Sequence, residues 1–303
     1  MRQSKSLAVR SEETRAYWIF VLPAFIIYLS VLAFPTVFSV LLSLTNYNGG
    51  KLFNNPMQTT KFVGLKWYKL LFSDPVFYLS LKNNMYIVLI SVFGQIPLGF
   101  LLAYILFRGM VRCKDFFQTM VYLPSIISPV IIGILWKAFF SPSGAMPALI
   151  KLAVPEYEMG VNHYPMINVL FVILWMYTGG YLIIFAANLQ KINTSVIEAA
   201  IIDGCTEMQT LRHIILPSLS GVIVTSCILA ISGSFKSFDL IYSLTGGGPG
   251  NSTSVLSLYM YSKAFTGAPK YPLANAISTV MVLISFLLIF ITRMIERIYG
   301  GRE

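Results

Sequence analysis

Twelve Asp and Glu residues, two histidines and three cysteines are all that this 303-residue sequence offers for acid–base, nucleophilic or metal chemistry. Their spacing does not bring them together. Cys113, Cys205 and Cys227 form no CxxC or metal-like pattern, which supports neither a disulfide nor a zinc site. His163 and His213 read as a loop residue and an interface residue, because a metal site needs further ligands that the pattern does not supply. Neither histidine lies in an apolar run where it could activate a buried serine, so a membrane enzyme such as an intramembrane protease is a poor reading. The run Gly246 to Thr253 sets glycines before Ser and Thr, as a phosphate cradle would. A phosphate loop requires G-x-x-x-x-G-K-[ST], and no lysine occurs from Gly246 to Tyr259, so the run reads as a turn and not as an ATP site.

What remains is the chemistry of contact. The stretch Lys191 to Pro217 is polar enough for water and yet written as helix. Ser195-Val196-Ile197-Glu198 has the form of a capping box, which starts a helix at about Val196. Ile197, Ala200 and Ile201 then share one face, and Gly204 permits the sharp turn that ends it. A second helix is expected from Thr206 until Pro217 introduces the next apolar run. Small Ala199 and Ala200 allow close approach, and Glu198 offers a carboxylate to a basic partner. An amphipathic helix lying on a bilayer would carry the same pattern.

The rest of the chain must hold this segment in place, and it is written for lipid. The sequence is 56% hydrophobic and 11% charged, with a mean hydropathy of +0.72, whereas a soluble domain is about 25% charged. Long apolar runs with little alternation select helices over a barrel, so the expected fold is all-α and polytopic. Six spans meet the length rule: Tyr17 to Leu44, Asn84 to Phe107, Thr119 to Phe140, Ile167 to Gln190, Leu219 to Phe235 and Leu273 to Ile295. The first exceeds a signal-peptide core and reads as a retained helix. Division into a tail over 1–16, a membrane domain over 17–298 and a tail over 299–303 follows. Every arginine (Arg2, Arg10, Arg15, Arg108, Arg112, Arg212, Arg293, Arg297 and Arg302) falls on one side, while Lys51, Lys61, Lys66, Lys69, Lys82, Lys151, Lys236, Lys263 and Lys270 fall on the other. The orientation therefore rests on bases that abut a helix end, as at Arg15, Arg108 and Arg293, which the positive-inside rule makes cytoplasmic along with both termini. On the other side Phe62 to Asn84 suggests a short surface helix with Leu65, Tyr68, Leu71 and Phe72 inward, and Ser141 to Pro165 suggests a loop. The net charge of +10 forms no basic stripe with interleaved aromatics, which argues against nucleic acid. Pro23, Pro97, Pro124 and Pro129 fall in or near spans and are expected to kink them.

None of these spans contains Asp, Glu or His, the groups on which a proton-coupled carrier relies. Glu296, beside Arg293 and Arg297, lies just past the last span. Neutral and aromatic groups occur instead: Trp175, Tyr177, Thr178, Tyr181 and Asn188, then Ser232, Ser234 and Phe235, then Asn275 and Ser278. They suit a sugar, whose ring faces stack on aromatics and whose hydroxyls need donors and acceptors. They equally suit helix–helix packing.

Glu198-Ala199-Ala200, Asp203-Gly204, Ile214 and Leu216-Pro217 stand at the spacing of the EAA signature, and the chain resembles the permeases of ABC importers. Phe62-Val63-Gly64-Leu65, Trp67-Tyr68, Leu70 to Pro75, Leu123-Pro124-Ser125, Gly133 with Trp136-Lys137, and Phe238 to Tyr242 with Leu244-Thr245 and Gly247-Gly248-Pro249 extend the resemblance to carbohydrate-uptake permeases of the maltose and glycerol-3-phosphate type, first-permease kind. The resemblance implies the type I importer permease fold, in the shorter form without the maltose protein's extra N-terminal helices and external domain. It implies that residues 191–217 seat in a cleft of a cytoplasmic ATPase. By the same analogy the fourth to sixth spans line the path, with Trp175, Tyr177, Tyr181, Phe235, Lys236, Ser237, Phe238 and Asn275 as candidates. Implied partners are a second homologous permease, an ATP-binding subunit dimer, an extracytoplasmic solute-binding protein, membrane lipid and a sugar. ATP and Mg would belong to the ATPase, with no cofactor in this chain. The expected place is a bacterial or archaeal cytoplasmic membrane. A stand-alone secondary carrier or channel is the rival reading.

Overall fold

The computed structural model describes residues 17–47, 49, 60–153 and 165–299, the side chains of 150–153 and 299 excepted. The expected tails at 1–16 and 300–303 lie outside the described residues, as do Lys51 and His163. The fold is all-α. In chain order the helices are α1 Tyr17–Ser43, α2 Lys66–Phe72, α3 Pro75–Phe107, α4 Lys114–Ile126, α5 Pro129–Phe140, α6 Ala145–Ala153 and α7 Pro165–Leu189. There follow α8 Thr194–Ile202, α9 Glu207–Ser218, α10 Ser220–Phe235, α11 Phe238–Leu244, α12 Leu256–Phe265 and α13 Tyr271–Tyr299. Among the described residues five helical stretches are long and apolar enough to cross a membrane, and α9 with α10, bent by 66°, makes a sixth if the pair is one span.

Proline writes much of the local geometry. Three π-helical turns, Leu29–Ala33, Ser91–Gln95 and Leu211–Ile215, each end two residues before a proline, at Pro35, Pro97 and Pro217. A proline has no N–H for the carbonyl four residues back, and its ring crowds that carbonyl. Widening the preceding turn to an i→i+5 bond relieves the conflict without ending the helix. Pro129 acts differently. It forces Ser128 to ψ 131 and breaks the expected third span into α4 and α5. Pro124 sits inside α4.

The chain divides into two compact units. The first holds the described residues up to Leu71 together with Lys263–Thr279. Within it Thr45 and Phe62 form an isolated antiparallel bridge, Trp67 Nε1 donates to the Thr45 carbonyl at 2.7 Å, and the Ser43 and Tyr68 hydroxyls meet at 2.6 Å. The end of α1 is thereby pinned to α2. The expected inward face of α2 is only half realised, since Leu71 is buried while Leu65 and Phe72 are exposed.

The second unit holds Phe72–Ser262 and the described residues from Val280. Here the expected surface helix gives way to α3, which starts at Pro75 instead of Asn84. Asp74 caps it, accepting from the Val76 N–H at 2.9 Å, and also accepts from the Tyr259 hydroxyl at 2.5 Å. Burial first, and then that carboxylate, push the Tyr259 phenol pKa up. Lys82, Asn83 and Asn84 interrupt the apolar run, but the two asparagines are buried. Asn83 Nδ2 donates to the carbonyls of Ser252 and Ser254 at 2.9 and 2.8 Å. Asn84 Nδ2 donates to the Ser234 carbonyl at 3.1 Å while its Oδ1 accepts from the Leu256 N–H at 2.8 Å. One amide thus satisfies the end of α10 and the start of α12 together. The turn over 246–251, with positive φ at Gly246, Gly247, Gly250 and Asn251, leads into this knot. The expected loop at 141–165 contains α6 over Ala145–Ala153; residues 154–164 lie outside the described residues.

Helix α7 is the centre of this unit, with α3 on one side and α4 on another. A Cβ on Gly99 would stand 2.6 Å from the Tyr181 Cβ, and one on Gly179 would collide with the α4 backbone at Val121 and Tyr122. Small residues at crossings let helix backbones pack closely where lipid offers no hydrophobic drive between them.

Candidate functional site

The segment 191–218 is a helix–turn–helix whose outer surface is bare. Asn193, not Ser195, caps α8: its Oδ1 accepts from the Ser195 N–H at 3.0 Å and from the Ser195 hydroxyl at 2.8 Å. The expected capping box at Ser195–Glu198 is therefore absent, because Asn193 is an equally good cap two residues earlier. A capping box does form at α9, between Thr206 and Gln209. Gly204 ends α8 at φ +79, its N–H bonded to the Ile201 carbonyl at 3.0 Å and the Cys205 N–H to the Ala200 carbonyl at 2.9 Å. That pair of bonds is the Schellman arrangement, which favours glycine at the left-handed position.

Ile197 and Ala200 turn inward and are buried. Ile201, expected beside them, is 55% exposed, because the three-residue and four-residue steps from Ile197 point to opposite sides of the buried seam. The outward surface carries Val196, Glu198, Ala199, Ile201, Ile202, Asp203, Gly204 and Met208, with Ile202 85% exposed. Two carboxylates thus sit in an exposed apolar patch, a combination that marks an interaction surface. In α9 the Ile214 and Leu216 side chains are half-buried and Pro217 is exposed. Its neighbour Ile215 is fully buried and anchors the hairpin. Glu207, which sequence reasoning passed over, accepts from the Tyr104 hydroxyl and the Arg108 guanidinium at the end of α3.

A cavity of about 380 Å³ lies within the second unit, between α3, α7 and α10. Of the eight candidate path residues it collects four: Tyr177, Tyr181, Lys236 and Ser237. Ser91, Gln95 and Ser234 add polar atoms, and Gly180 and Gly233 leave the space open, since a Cβ on either would meet nothing within 4 Å. Gln95 Nε2 is held by the Ile173 carbonyl at 2.9 Å. Ser91 and Gln95 stood one helical turn apart in an otherwise apolar run, a legible signal. The other four candidates lie elsewhere. Trp175 meets Trp136 edge-on at 5.4 Å, Phe235 is buried, and Phe238 stacks on Tyr242 at 5.2 Å. Asn275 belongs to the first unit, where its Oδ1 accepts from the Ser39 hydroxyl at 2.9 Å.

With this geometry in view, residues 95–302 match the family described as the binding-protein-dependent transport system inner membrane component. The lactose transport system permease protein LacF of Rhizobium radiobacter is 32% identical, the alignment covering 94% of each chain. The multiple sugar-binding transport system permease protein MsmF of Streptococcus mutans is 31% identical over 88% of this chain and 90% of its own. The crystal structure of a bacterial ABC transporter involved in the import of the acidic polysaccharide alginate contains a chain that superposes with a TM-score of 0.78, at 22% identity, over 97% of this chain and 99% of that one, which shows the fold. The family model covers most of the chain and the LacF alignment nearly all of it, and the chain belongs to the binding-protein-dependent transport system inner membrane component family.

Proposed function

We propose that this permease forms half of a translocation path for a sugar, with a second permease supplying the other half and a paired cytoplasmic ATPase driving alternation. The observation that carries the reading is the exposed face of the helix–turn–helix, where Glu198, Ala199, Asp203 and Gly204 are uncovered together with Ile202 and Met208. A stand-alone carrier has no use for such a surface, whereas an importer docks its ATPase on it. The cavity supports the solute class. Tyr177, Tyr181, Gln95, Ser91, Ser234 and Ser237 line a space of about 380 Å³, a mix of aromatic and polar side chains that suits a sugar. On this reading ATP and Mg belong to the ATPase, the 191–217 loop and both termini are cytoplasmic, and a solute-binding protein delivers on the opposite side.

Purification of the native complex tests it. Co-purifying ATPase and second permease, with a sugar that stimulates hydrolysis through a binding protein, is the expected result. Solute transport by this chain alone in vesicles would overturn it in favour of a carrier.

A further inference from the structure

Glu207 opens α9, and its carboxylate accepts from Tyr104 and Arg108. The side chains of the Arg108–Glu207 pair are 26% and 46% exposed, and an ion pair at that exposure adds little to stability. What it joins matters more. Among the described residues it is the one ion pair between the helix–turn–helix and a span. Tyr104 is buried, its ring stacked on Phe100 at 6.1 Å, and Phe100 meets Phe185 of α7 edge-on at 5.5 Å. Next to Phe100, Gly99 lies directly against Tyr181, and Tyr181 lines the cavity. Contact therefore runs unbroken from Glu207 through Tyr104, Phe100 and Gly99 to the cavity wall. The hairpin is also joined covalently, to α7 through residues 190–193 and to α10 through the 66° bend. Helices α3 and α10 both contribute cavity residues: Ser91 and Gln95 from one, Gly233 and Ser234 from the other. Helix α8, in contrast, is held by apolar burial of Ile197 and Ala200.

We propose that Glu207, gripped by Tyr104 and Arg108, is a positioning residue that passes displacement of the helix–turn–helix to α3, so that α3 and α10, two of the three helices lining the cavity, move together when the ATPase acts. The inference rests on reading the hairpin as the ATPase-docking element. With the carboxylate neutralised, α10 would still be pulled through the backbone while α3 lagged, and the cavity would open incompletely. Contiguous packing provides the physical route, and a coupling measurement must show that it is used.

The test uses the complete complex with its own ATPase, second permease and binding protein, reconstituted in vesicles with the co-purifying sugar. Glu207→Gln and, as a milder change, Tyr104→Phe are compared with the unaltered chain for ATPase retained, hydrolysis rate and solute transported per ATP. For Glu207→Gln, retention should hold while solute transported per ATP falls several-fold. Tyr104→Phe should give a smaller fall. Exchanging the charges, Glu207→Arg with Arg108→Glu, should recover most of the ratio. An unchanged ratio in Glu207→Gln overturns the proposal. Loss of ATPase from that variant overturns it too, since Glu207 would then be a docking residue. Absence of ATP-driven transport in the unaltered complex would instead bring down the permease reading on which the proposal stands.

Discussion

At Gly204 the backbone sits at φ +79 with open space where a Cβ would go, so conformational strain alone decides which residues it accepts. Asn enters the left-handed region readily and β-branched residues do not. Gly204→Val is expected to release the ATPase or abolish solute-stimulated hydrolysis, and Gly204→Asn to retain most of both, measured on the purified complex. In the cavity, Tyr177→Ala is expected to raise the sugar concentration for half-maximal transport by about 3- to 10-fold, the equivalent of one aromatic contact of roughly 0.5–1.5 kcal/mol. Trp175→Ala, packed on Trp136 outside the cavity, should leave that concentration unchanged. Transport assays at graded sugar concentration decide both. The residues of the exposed hairpin were legible in the sequence because their spacing is local. The cavity residues were legible only in part: an aromatic in a span reads the same whether it lies at a cavity or against a neighbouring helix, as Tyr181 and Trp175 do.

Among elements, the apolar runs announced the spans, while their ends were hidden by partners distant in sequence. Nothing near Asn83 and Asn84 reveals that residues 234 and 252–256 will satisfy them, so α3 looked shorter than it is. Asn84→Leu removes the amide but keeps the volume, leaving the Leu256 N–H buried without its acceptor, while the Ser234 carbonyl keeps the Ser237 hydroxyl at 2.7 Å. About 1–3 kcal/mol is expected for the one unsatisfied group, seen as a lower midpoint of thermal unfolding in detergent. Asn84→Asp would keep the acceptor for Leu256 and should cost less in the same assay if its carboxyl stays neutral there. At the crossing of α7 on α4, Gly179→Val should be more damaging than Gly180→Val, since the first glycine meets the α4 backbone and the second faces open cavity. The breaks at Pro129 and Pro217 were readable as proline effects, but which of the two would stop a helix and which would only widen a turn depends on the packing around it.

For the molecule as a whole, arginine placement and span count predict a sidedness that accessibility can check. In a chain freed of Cys113, Cys205 and Cys227, single cysteines at Lys5, Gly250 and Gly300 should react with an impermeant reagent from outside only at Gly250. Labelling from outside at either end would invert the topology. Most spans were plain from the sequence, because a hydrocarbon layer about 30 Å thick imposes its length on any crossing helix, but the third, expected over Thr119 to Phe140, is broken at Pro129 and the stretch that meets the length test there is Pro129–Leu149. The same layer meets α3 on unequal terms. At about 1.5 Å per residue Asn84 stands roughly 35 Å along the helix from Phe107, so with Phe107 placed at one edge of the hydrocarbon it falls just beyond the other even with an ordinary tilt of about 20°. On that placement the polar knot lies at headgroup depth, and acyl chain length becomes a control on it: a bilayer long enough to submerge Asn83 and Asn84 would have to thin locally or bring the helix closer to the membrane normal. Vesicles made with progressively longer acyl chains should accordingly slow transport stepwise, through the bilayer and with no change in any protein residue.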